Sequence, residues 1–273
     1  MSITNIMYIQ SYMKNSHYLK FLVTIEARMT SSRLPGKVCM KLARSKTVLG
    51  ILIDRIKKSK FVDKILIATT INKIDDKIVK IAKLKKCIFY RGSENNVLKR
   101  LMLATKNQKE NCIIQLTADN PFIDPAIINY VVNFFIINYP RYDFITNNNL
   151  FDITRSVPHG MTVSVFKKKA LQKIFRLADK EEHFEHPSLY FYREGRKIFK
   201  VKNLTMPKKW YSKLNPRLTL DTKKDFVFLK TIYKKLKKFE DFSLIDIFKL
   251  INKHKNYLKI NRKISQKIPS GLD

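Results

Sequence analysis

The sequence is poor in cysteine and acidic residues and has no long apolar run, and each shortage excludes a class of protein. Its 273 residues include three isolated cysteines, Cys39, Cys87 and Cys112. Such spacing excludes a disulfide framework and a CxxC metal site, and it favours a reducing, cytoplasmic setting. No apolar run approaches the roughly 20 residues of a membrane-spanning helix. Residues 1–20 also mix polar and apolar types, so we expect neither a spanning segment nor a secretory leader.

Acidic residues are so few that 55 Lys and Arg against 22 Asp and Glu give a formal net charge of +33. Such a charge is typical of proteins that bind nucleic acid or anionic membranes. However, only 13 of the 55 cations are arginine, and the lysines are spread along the whole chain rather than gathered in one arm. Ile, Asn, Phe and Tyr are abundant too, as an AT-rich coding sequence would make them. We therefore interpret the charge as compositional, and we favour a small anionic substrate over nucleic acid.

Apolar runs that predict buried strands alternate with amphipathic segments that predict helices. Strands are predicted at residues 20–26, 64–69, 87–90, 111–117, 142–146, 161–166, 197–201 and 217–221. Helices are predicted at residues 47–58, 75–84, 95–106, 125–137, 167–178, 182–193, 222–236 and 243–252. This order predicts an α/β protein with three α/β/α layers around a mostly parallel sheet. We expect one continuous domain at 20–255, a frayed N-terminal extension at 1–19 and a tail at 256–273.

The segment after the first predicted strand, residues 26–38 (EARMTSSRLPGKV), is the strongest candidate for chemistry. In open parallel sheets, ligands bind at the carboxyl ends of strands, where this segment lies. The cations Arg28, Arg33 and Lys37, small hydroxyl side chains and Gly36 together suit a polyphosphate. The segment is neither a Walker A loop nor a dinucleotide fingerprint, because both glycine patterns are absent. An ordinary basic surface loop is the alternative interpretation.

Several segments, in the same order along the chain, resemble one enzyme family. They are IEARMTSSRLPGKV at 25–38, ATT at 68–70, FYRGSENNVLKR at 89–100, LTADNPFID at 116–124, GMTVSVF at 160–166, EHPSLYFYRE at 185–194 and RLTLDTKKDF at 217–226. These segments resemble the cytidylyltransferase family, most of all its spore-coat polysaccharide biosynthesis protein F group, with the CMP-sialic acid and CMP-Kdo synthetases as distant relatives. The resemblance implies a Rossmann-like fold of the nucleotide-diphospho-sugar transferase type. It also implies transfer of a nucleotidyl group from CTP to a sugar, with release of pyrophosphate.

The resemblance implies a role for each candidate residue. The catalytic residues would be Arg28, Lys37 and Asp119. The nucleotide-binding residues would be Ala27, Arg28, Ser32, Arg33, Lys37, Thr70 and Arg91. The acceptor would be bound by His159, Thr162, Glu185 and His186. Asp119 and Asp221 would bind Mg²⁺, with Mn²⁺ as an alternative, since Mg²⁺ takes one or two carboxylates besides phosphate oxygens and waters. Taken singly, each aspartate fits a helix cap or a turn as well as a ligand.

Two further expectations concern the site. Asp119 and Asp221 are both predicted to end strands of one sheet, so their carboxylates should converge. Because neighbouring carboxylates repel each other when no metal is bound, replacing either with Asn should leave the metal-free protein equally stable or more so. Thr162 and Ser164 stand where the family pattern has acids, which implies a different acceptor or a weakened activity.

The predicted function is a CTP-dependent nucleotidyltransferase that activates a sugar for surface polysaccharide biosynthesis. Its predicted partners are CTP and a small sugar acceptor, and a homodimer is an alternative to a monomer. Two other functions stay open. One is a degenerate homologue that binds nucleotide or sugar without turnover, and the other is a basic nucleic-acid-binding protein.

Overall fold

The computed structural model describes residues 18–148, 156–238 and 241–266. The strands of this part of the chain are β1 Phe21–Glu26, β2 Lys41–Ala43, β3 Lys46–Thr47, β4 Lys64–Thr70, β5 Ile88–Gly92, β6 Cys112–Thr117, β7 Phe144–Thr146, β8 Ser164–Lys167 and β9 Val201–Asn203. Seven of them form the central sheet in the order β5-β4-β1-β6-β8-β7-β9, while β2 and β3 form a separate hairpin. Within the sheet, β8 alone runs antiparallel to its neighbours.

Helices cover both faces of the sheet. They are α1 Val48–Ile56, α2 Asp76–Leu84, α3 Val97–Thr105, α4 Pro125–Ile137, α5 Lys168–Leu177, α6 Glu181–Glu185, α7 Pro187–Tyr192, α8 Lys223–Leu236 and α9 Leu244–Lys253. The core on one face is formed with α1, α2, α4, α8 and α9, and the core on the other face with α3, α5 and α7. The predicted α/β class with three α/β/α layers and a mostly parallel sheet is confirmed.

Strand β1 shows why the two cores form. Its side chains alternate between the sheet faces, so Val23 and Ile25 join the first core and Leu22 joins the second. A strand buried on both faces reads in the sequence as a continuous apolar run, as β1 does. None of the helices in the described ranges combines the length and apolar character needed to cross a membrane.

The strand predicted at 197–201 forms further along the chain, at Val201–Asn203. Two other predicted elements are wrong for local reasons. The helix predicted at 182–193 is two helices, α6 and α7, because Pro187 cannot continue the first and restricts His186 to φ −127°, ψ 75°. The strand predicted at 217–221 is an extended segment without a ladder. Its backbone makes single hydrogen bonds to two loops, from Leu218 N to His159 O (2.8 Å) and from Leu220 N to Asp119 O (2.9 Å).

Near the C-terminus the chain stays packed on the domain beyond residue 255, where a tail was predicted to begin. A 3-10 turn at Lys255–Ile260 buries Leu258. The Asn261 side chain then donates to Arg217 O (3.1 Å) and to Asp225 Oδ1 (3.0 Å). Residues 1–17 and 267–273 lie outside the described residues, as does most of the predicted N-terminal extension.

Candidate active site

The loop that follows β1 carries Lys37 into the centre of the candidate site. Gly36 adopts φ +74°, in the left-handed region that favours glycine, and its N–H donates to Met29 O (2.7 Å). This tight turn starts the short 3-10 turn Lys37–Cys39, in which Val38 is buried. The Lys37 side chain is thereby fixed at one end while its ammonium reaches across the ends of the strands.

Asp119 and Asp221 meet at that ammonium. Lys37 Nζ lies 2.7 Å from Asp119 Oδ2 and 3.0 Å from Asp221 Oδ1. Asp119 follows β6. Asp221 is the last residue of the extended segment 217–221, which is joined to Asp119 by the hydrogen bond from Leu220 N to Asp119 O. The predicted convergence of the two carboxylates is therefore present, although Asp221 does not end a strand. A cation stands between the carboxylates, so the expectation that they repel each other in the metal-free protein is wrong.

Two arginines hold Asp221 further. Arg33 Nη2 lies 2.9 Å from Asp221 Oδ1, and Arg217 Nη2 lies 2.5 Å from Asp221 Oδ2. Arg217 also donates from Nε to Asp225 Oδ1 (3.1 Å), and Asp225 forms the capping box of α8 with Thr222. Asp221 is only 5% exposed, so this charge is compensated by nearby cations rather than by water.

The same contacts set the charge state of Lys37. Burial alone would lower the pKa of its ammonium, but the charges of Asp119 and Asp221 and their hydrogen bonds outweigh that effect and raise the pKa above its usual value. Lys37 is therefore a fixed positive charge at neutral pH. A fixed ammonium beside Arg33 is suited to a phosphate group, because both charge and donors are already in place.

Arg28 lies toward the residues predicted to bind the acceptor. Its Nη2 is 3.4 Å from Glu185 Oε1, and both side chains are partly exposed. His186 is exposed beside Glu185, and Ser32 is exposed in the loop after β1. His159 and Thr162 are half-buried on the loop before β8. Gly160 between them has φ +100°, and a Cβ there would meet the Leu218 carbonyl carbon at 2.6 Å, so only glycine permits this approach.

Thr70 and Arg91, both predicted to bind nucleotide, lie at the carboxyl ends of β4 and β5. The Thr70 hydroxyl and the Arg91 guanidinium are bonded to other groups of the protein. The Thr70 hydroxyl donates to Asp75, a fully buried carboxylate that also accepts from Met29 N (2.8 Å). Arg91 donates to Thr70 O (2.9 Å) and to Asn72 O (2.9 Å), and it pairs with Asp76. The Ala27 N–H donates to Ala68 O, which also belongs to β4.

Sequence reasoning missed three polar residues of this region. Asp75 ties the loop after β1 to the end of β4, yet in the sequence it looks like one more acid at a helix start. Arg217 lies within a matched motif, and its spacing of four from Asp221 was an available signal. Glu26 ends β1 with its carboxyl next to Gln115, and a lone glutamate in an apolar strand was the signal there.

The donor set fits a divalent metal. Asp119 and Asp221 each direct one oxygen to the Lys37 ammonium. Their other oxygens accept hydrogen bonds from Thr117 and Arg217, respectively. Hard carboxylate oxygens that converge in this way are the ligands that Mg²⁺ and Mn²⁺ take. The arrangement thus combines fixed cations for phosphate oxygens with a carboxylate pair for a metal at the carboxyl ends of a parallel sheet. Together the fold and the site suit the transfer of a phosphate-containing group.

Comparison with known proteins specifies the class. The family model described as "Cytidylyltransferase" matches residues 22–264. The chain is 33% identical over 239 residues to the spore coat polysaccharide biosynthesis protein SpsF of Bacillus subtilis, covering 85% of this chain and 94% of that protein. The chain belongs to the cytidylyltransferase family, and the resemblance seen in its motifs is confirmed.

Solved structures agree with this assignment. A cytidylyltransferase from Leptospira borgpetersenii superposes with a TM-score of 0.80 at 32% identity, covering 91% of this chain and 100% of that one. A CMP:2-keto-3-deoxy-manno-octonic acid synthetase solved with CTP superposes with a TM-score of 0.58 at 16% identity, covering 79% and 99%. The second likeness shows the fold alone, and it confirms the predicted nucleotidyltransferase-type, Rossmann-like architecture.

Proposed function

We propose that the protein transfers the cytidylyl group of CTP to a hydroxyl of a sugar and releases pyrophosphate. The acceptor oxygen would attack the α-phosphorus, the bond from that phosphorus to the bridging oxygen would break, and the hydroxyl proton would be released. The observation that carries the proposal is the position of Lys37, whose ammonium is held between Asp119 and Asp221 beside Arg33. Membership of the cytidylyltransferase family supports CTP as the nucleotide.

Each charged residue has a role that follows from its place. Arg33 and Lys37 would neutralise the triphosphate and the leaving pyrophosphate, while Arg28 would bind phosphate oxygens at the acceptor side. Asp119 and Asp221 would hold Mg²⁺, or Mn²⁺ in its place. When bound, the metal would supply charge neutralisation at the phosphate oxygens. Lys37, which is protonated in the metal-free protein, would be available to the phosphates once the metal holds the two carboxylates.

The acceptor would be bound on the side of the crevice formed by His159, Thr162, Glu185 and His186. Ser164 is buried there, and its hydroxyl donates to Thr146 Oγ1 (3.1 Å). Thr162 and Ser164 are neutral hydroxyl residues where the family pattern has acids, which favours a sugar that is recognised through its own hydroxyls. The relative SpsF is named for spore coat polysaccharide biosynthesis, which supports surface polysaccharide as the destination of the sugar. The free thiols of Cys39, Cys87 and Cys112 fit a cytoplasmic location.

Thermal shift tests the nucleotide preference. CTP with Mg²⁺ at a hundred times its dissociation constant should stabilise the protein by about 2.7 kcal/mol. ATP, GTP and UTP at the same concentration should stabilise it less. Equal shifts with all four nucleotides would contradict the preference for CTP, and stabilisation by RNA that disappears with salt would favour the nucleic-acid alternative.

A further inference from the structure

Asp75 is a buried acid at the start of a helix, yet it does not cap that helix. It ends the 3-10 turn Lys73–Asp75 and occupies the N-cap position of α2, where an aspartate usually accepts a hydrogen bond from the first turn. The Asp75 side chain makes no such bond, although the residue is fully buried. Helix capping therefore does not account for a carboxylate at this position.

The carboxylate of Asp75 joins the loop after β1 to the end of β4. Its Oδ1 accepts from Met29 N (2.8 Å), in the loop. Its Oδ2 accepts from Thr70 N (3.2 Å) and from the hydroxyls of Thr69 (3.2 Å) and Thr70, on the strand. A backbone N–H thus faces each of the two oxygens, and a carboxylate is the side chain that accepts on both sides. Asp75 fixes the position of Met29 relative to the sheet.

Met29 is held at both its N–H and its carbonyl. Asp75 accepts from the N–H, and the carbonyl accepts from Gly36 N (2.7 Å), in the left-handed turn that directly precedes Lys37. The Met29 side chain is buried in the first core. Arg28 is the residue before Met29. The bond to Asp75 is therefore one residue away from Arg28 and, through one further hydrogen bond, one residue away from Lys37.

We propose that Asp75 is a positioning residue for nucleotide binding, because its bond to Met29 keeps Arg28 and Lys37 in place for the phosphates before the nucleotide arrives. The inference rests on the proposed function, since it takes a triphosphate as the ligand of the loop after β1. Asp75 is fully buried, so it acts through the loop rather than on the ligand. A loop that is already ordered loses less conformational freedom when a ligand binds.

The charge of Asp75 and its position predict opposite effects when the side chain is removed. A negative charge behind the loop repels a triphosphate, so the loss of the charge alone would strengthen binding. Loss of the bond to Met29 would let the loop shift, and binding would weaken. The direction of the change in affinity therefore distinguishes a positioning role from a purely electrostatic one.

The test compares Asp75→Ser with Asp124→Ser and the wild type. Asp124 is a matched control, because it is also a buried acid at a helix N-cap that accepts from a backbone N–H far along the chain, Leu244 N at 2.7 Å. Serine is a preferred N-cap residue, but it is too short to keep either long-range bond. Amide hydrogen exchange would be followed by NMR in the nucleotide-free proteins. Titration calorimetry with Mg²⁺ would measure the Kd of CTP and of inorganic pyrophosphate.

Asp75→Ser should loosen the loop and weaken both ligands. Its Met29 and Gly36 amides should exchange about tenfold faster than in the wild type, and both Kd values should rise about tenfold, because a hydrogen bond to a charged group is lost. Asp124→Ser should melt at a lower temperature than the wild type, with wild-type exchange at these two amides and wild-type Kd values. Asp75→Asn, which keeps one acceptor oxygen, should lie between the wild type and Asp75→Ser. It carries the same comparison if Asp75→Ser does not fold.

Each contrary result has a distinct meaning. Wild-type exchange at Met29 and Gly36 in a folded Asp75 variant would overturn the positioning role. Faster exchange with unchanged or tighter binding of CTP and pyrophosphate would overturn its link to phosphate binding. The same changes in Asp124→Ser would reduce the effect to a general loss of stability and would overturn the proposal as well. If the wild type bound neither CTP nor pyrophosphate, the proposed function itself would fail, and this inference with it.

Discussion

Replacing Asp221 with Asn in the metal-free protein tests the ion-pair network at the centre of the site. Asp221 contacts three cations, with distances of 2.9 Å to Arg33, 3.0 Å to Lys37 and 2.5 Å to Arg217. It is 5% exposed, so water cannot replace the lost charge. Asn keeps the size of the side chain and one acceptor oxygen, which makes the variant a test of charge rather than of packing.

The expected cost follows from what remains. Removing one partner of a buried ion pair costs about 3–5 kcal/mol. Here Lys37 keeps Asp119 and Arg217 keeps Asp225, so the lower end of that range applies, about 3 kcal/mol. For a protein of this size, each kcal/mol shifts the melting temperature by about 2–4 °C, so Asp221→Asn should melt about 6–12 °C below the wild type.

Differential scanning calorimetry in EDTA measures this shift directly. Asp63→Asn is the matched control, because Asp63 is exposed and should change stability by less than about 0.5 kcal/mol. An Asp221→Asn protein that melts with the wild type or above it would refute the reasoning. It would mean that the two carboxylates repel each other more strongly than Lys37 and the arginines attract them.

Three further predictions follow from particular contacts. Arg28→Ala and Lys37→Ala should each weaken CTP binding by roughly one to two decades, since a charge-assisted hydrogen bond contributes about 1.5–3 kcal/mol. Only Lys37→Ala should also lower the melting temperature. Equal Kd values for CTP in the wild type and the variants would contradict the assignment of these residues to nucleotide binding. Gly160→Ala should lower the free energy of unfolding by about 2–4 kcal/mol, because the φ of +100° and the 2.6 Å approach to Leu218 leave no room for a Cβ. Urea unfolding measures this loss. A variant with the urea midpoint of the wild type would show that the loop shifts freely. Glu26 should make the wild type less stable as pH rises, because its pKa of about 7 in the folded protein, against the ordinary 4.5, favours the neutral form. The free energy of unfolding of Glu26→Gln minus that of the wild type should therefore grow by about 3 kcal/mol from pH 4 to pH 8. A difference that stays constant with pH would exclude the raised pKa.

Much of the fold could be predicted because local and tertiary signals agree. The run at 21–26 is apolar on both faces, as a central parallel strand must be, and Asp124-Pro125 marks the start of α4 by a cap and a first-turn proline. The segment at 217–221 (RLTLD) alternates polar and apolar residues as a strand does, yet it lies outside the sheet. Its burial comes from loops that close over it, and local pattern cannot distinguish that environment from a ladder.

The sequence motifs name the candidate residues but do not predict the electrostatics between them. The motifs point to Lys37, Asp119 and Asp221, and the structure brings these three side chains together. Sequence position alone does not show that Lys37 lies between the aspartates, because that depends on the turn at Gly36. The raised pKa of Glu26 was equally hidden, since it results mainly from desolvation of the carboxyl in the folded protein.

Pyrophosphate release is the most direct test of the central claim that this protein is a cytidylyltransferase acting on a sugar. The assay would supply CTP, Mg²⁺ and a panel of sugars to the wild type and to Asp119→Asn, with Asp63→Asn as the control. The account predicts release that requires CTP, the metal and one class of sugar, that persists in the control and that falls by orders of magnitude in Asp119→Asn. Wild-type protein that binds CTP but releases no pyrophosphate with any sugar, or an Asp119→Asn variant with full turnover, would contradict it.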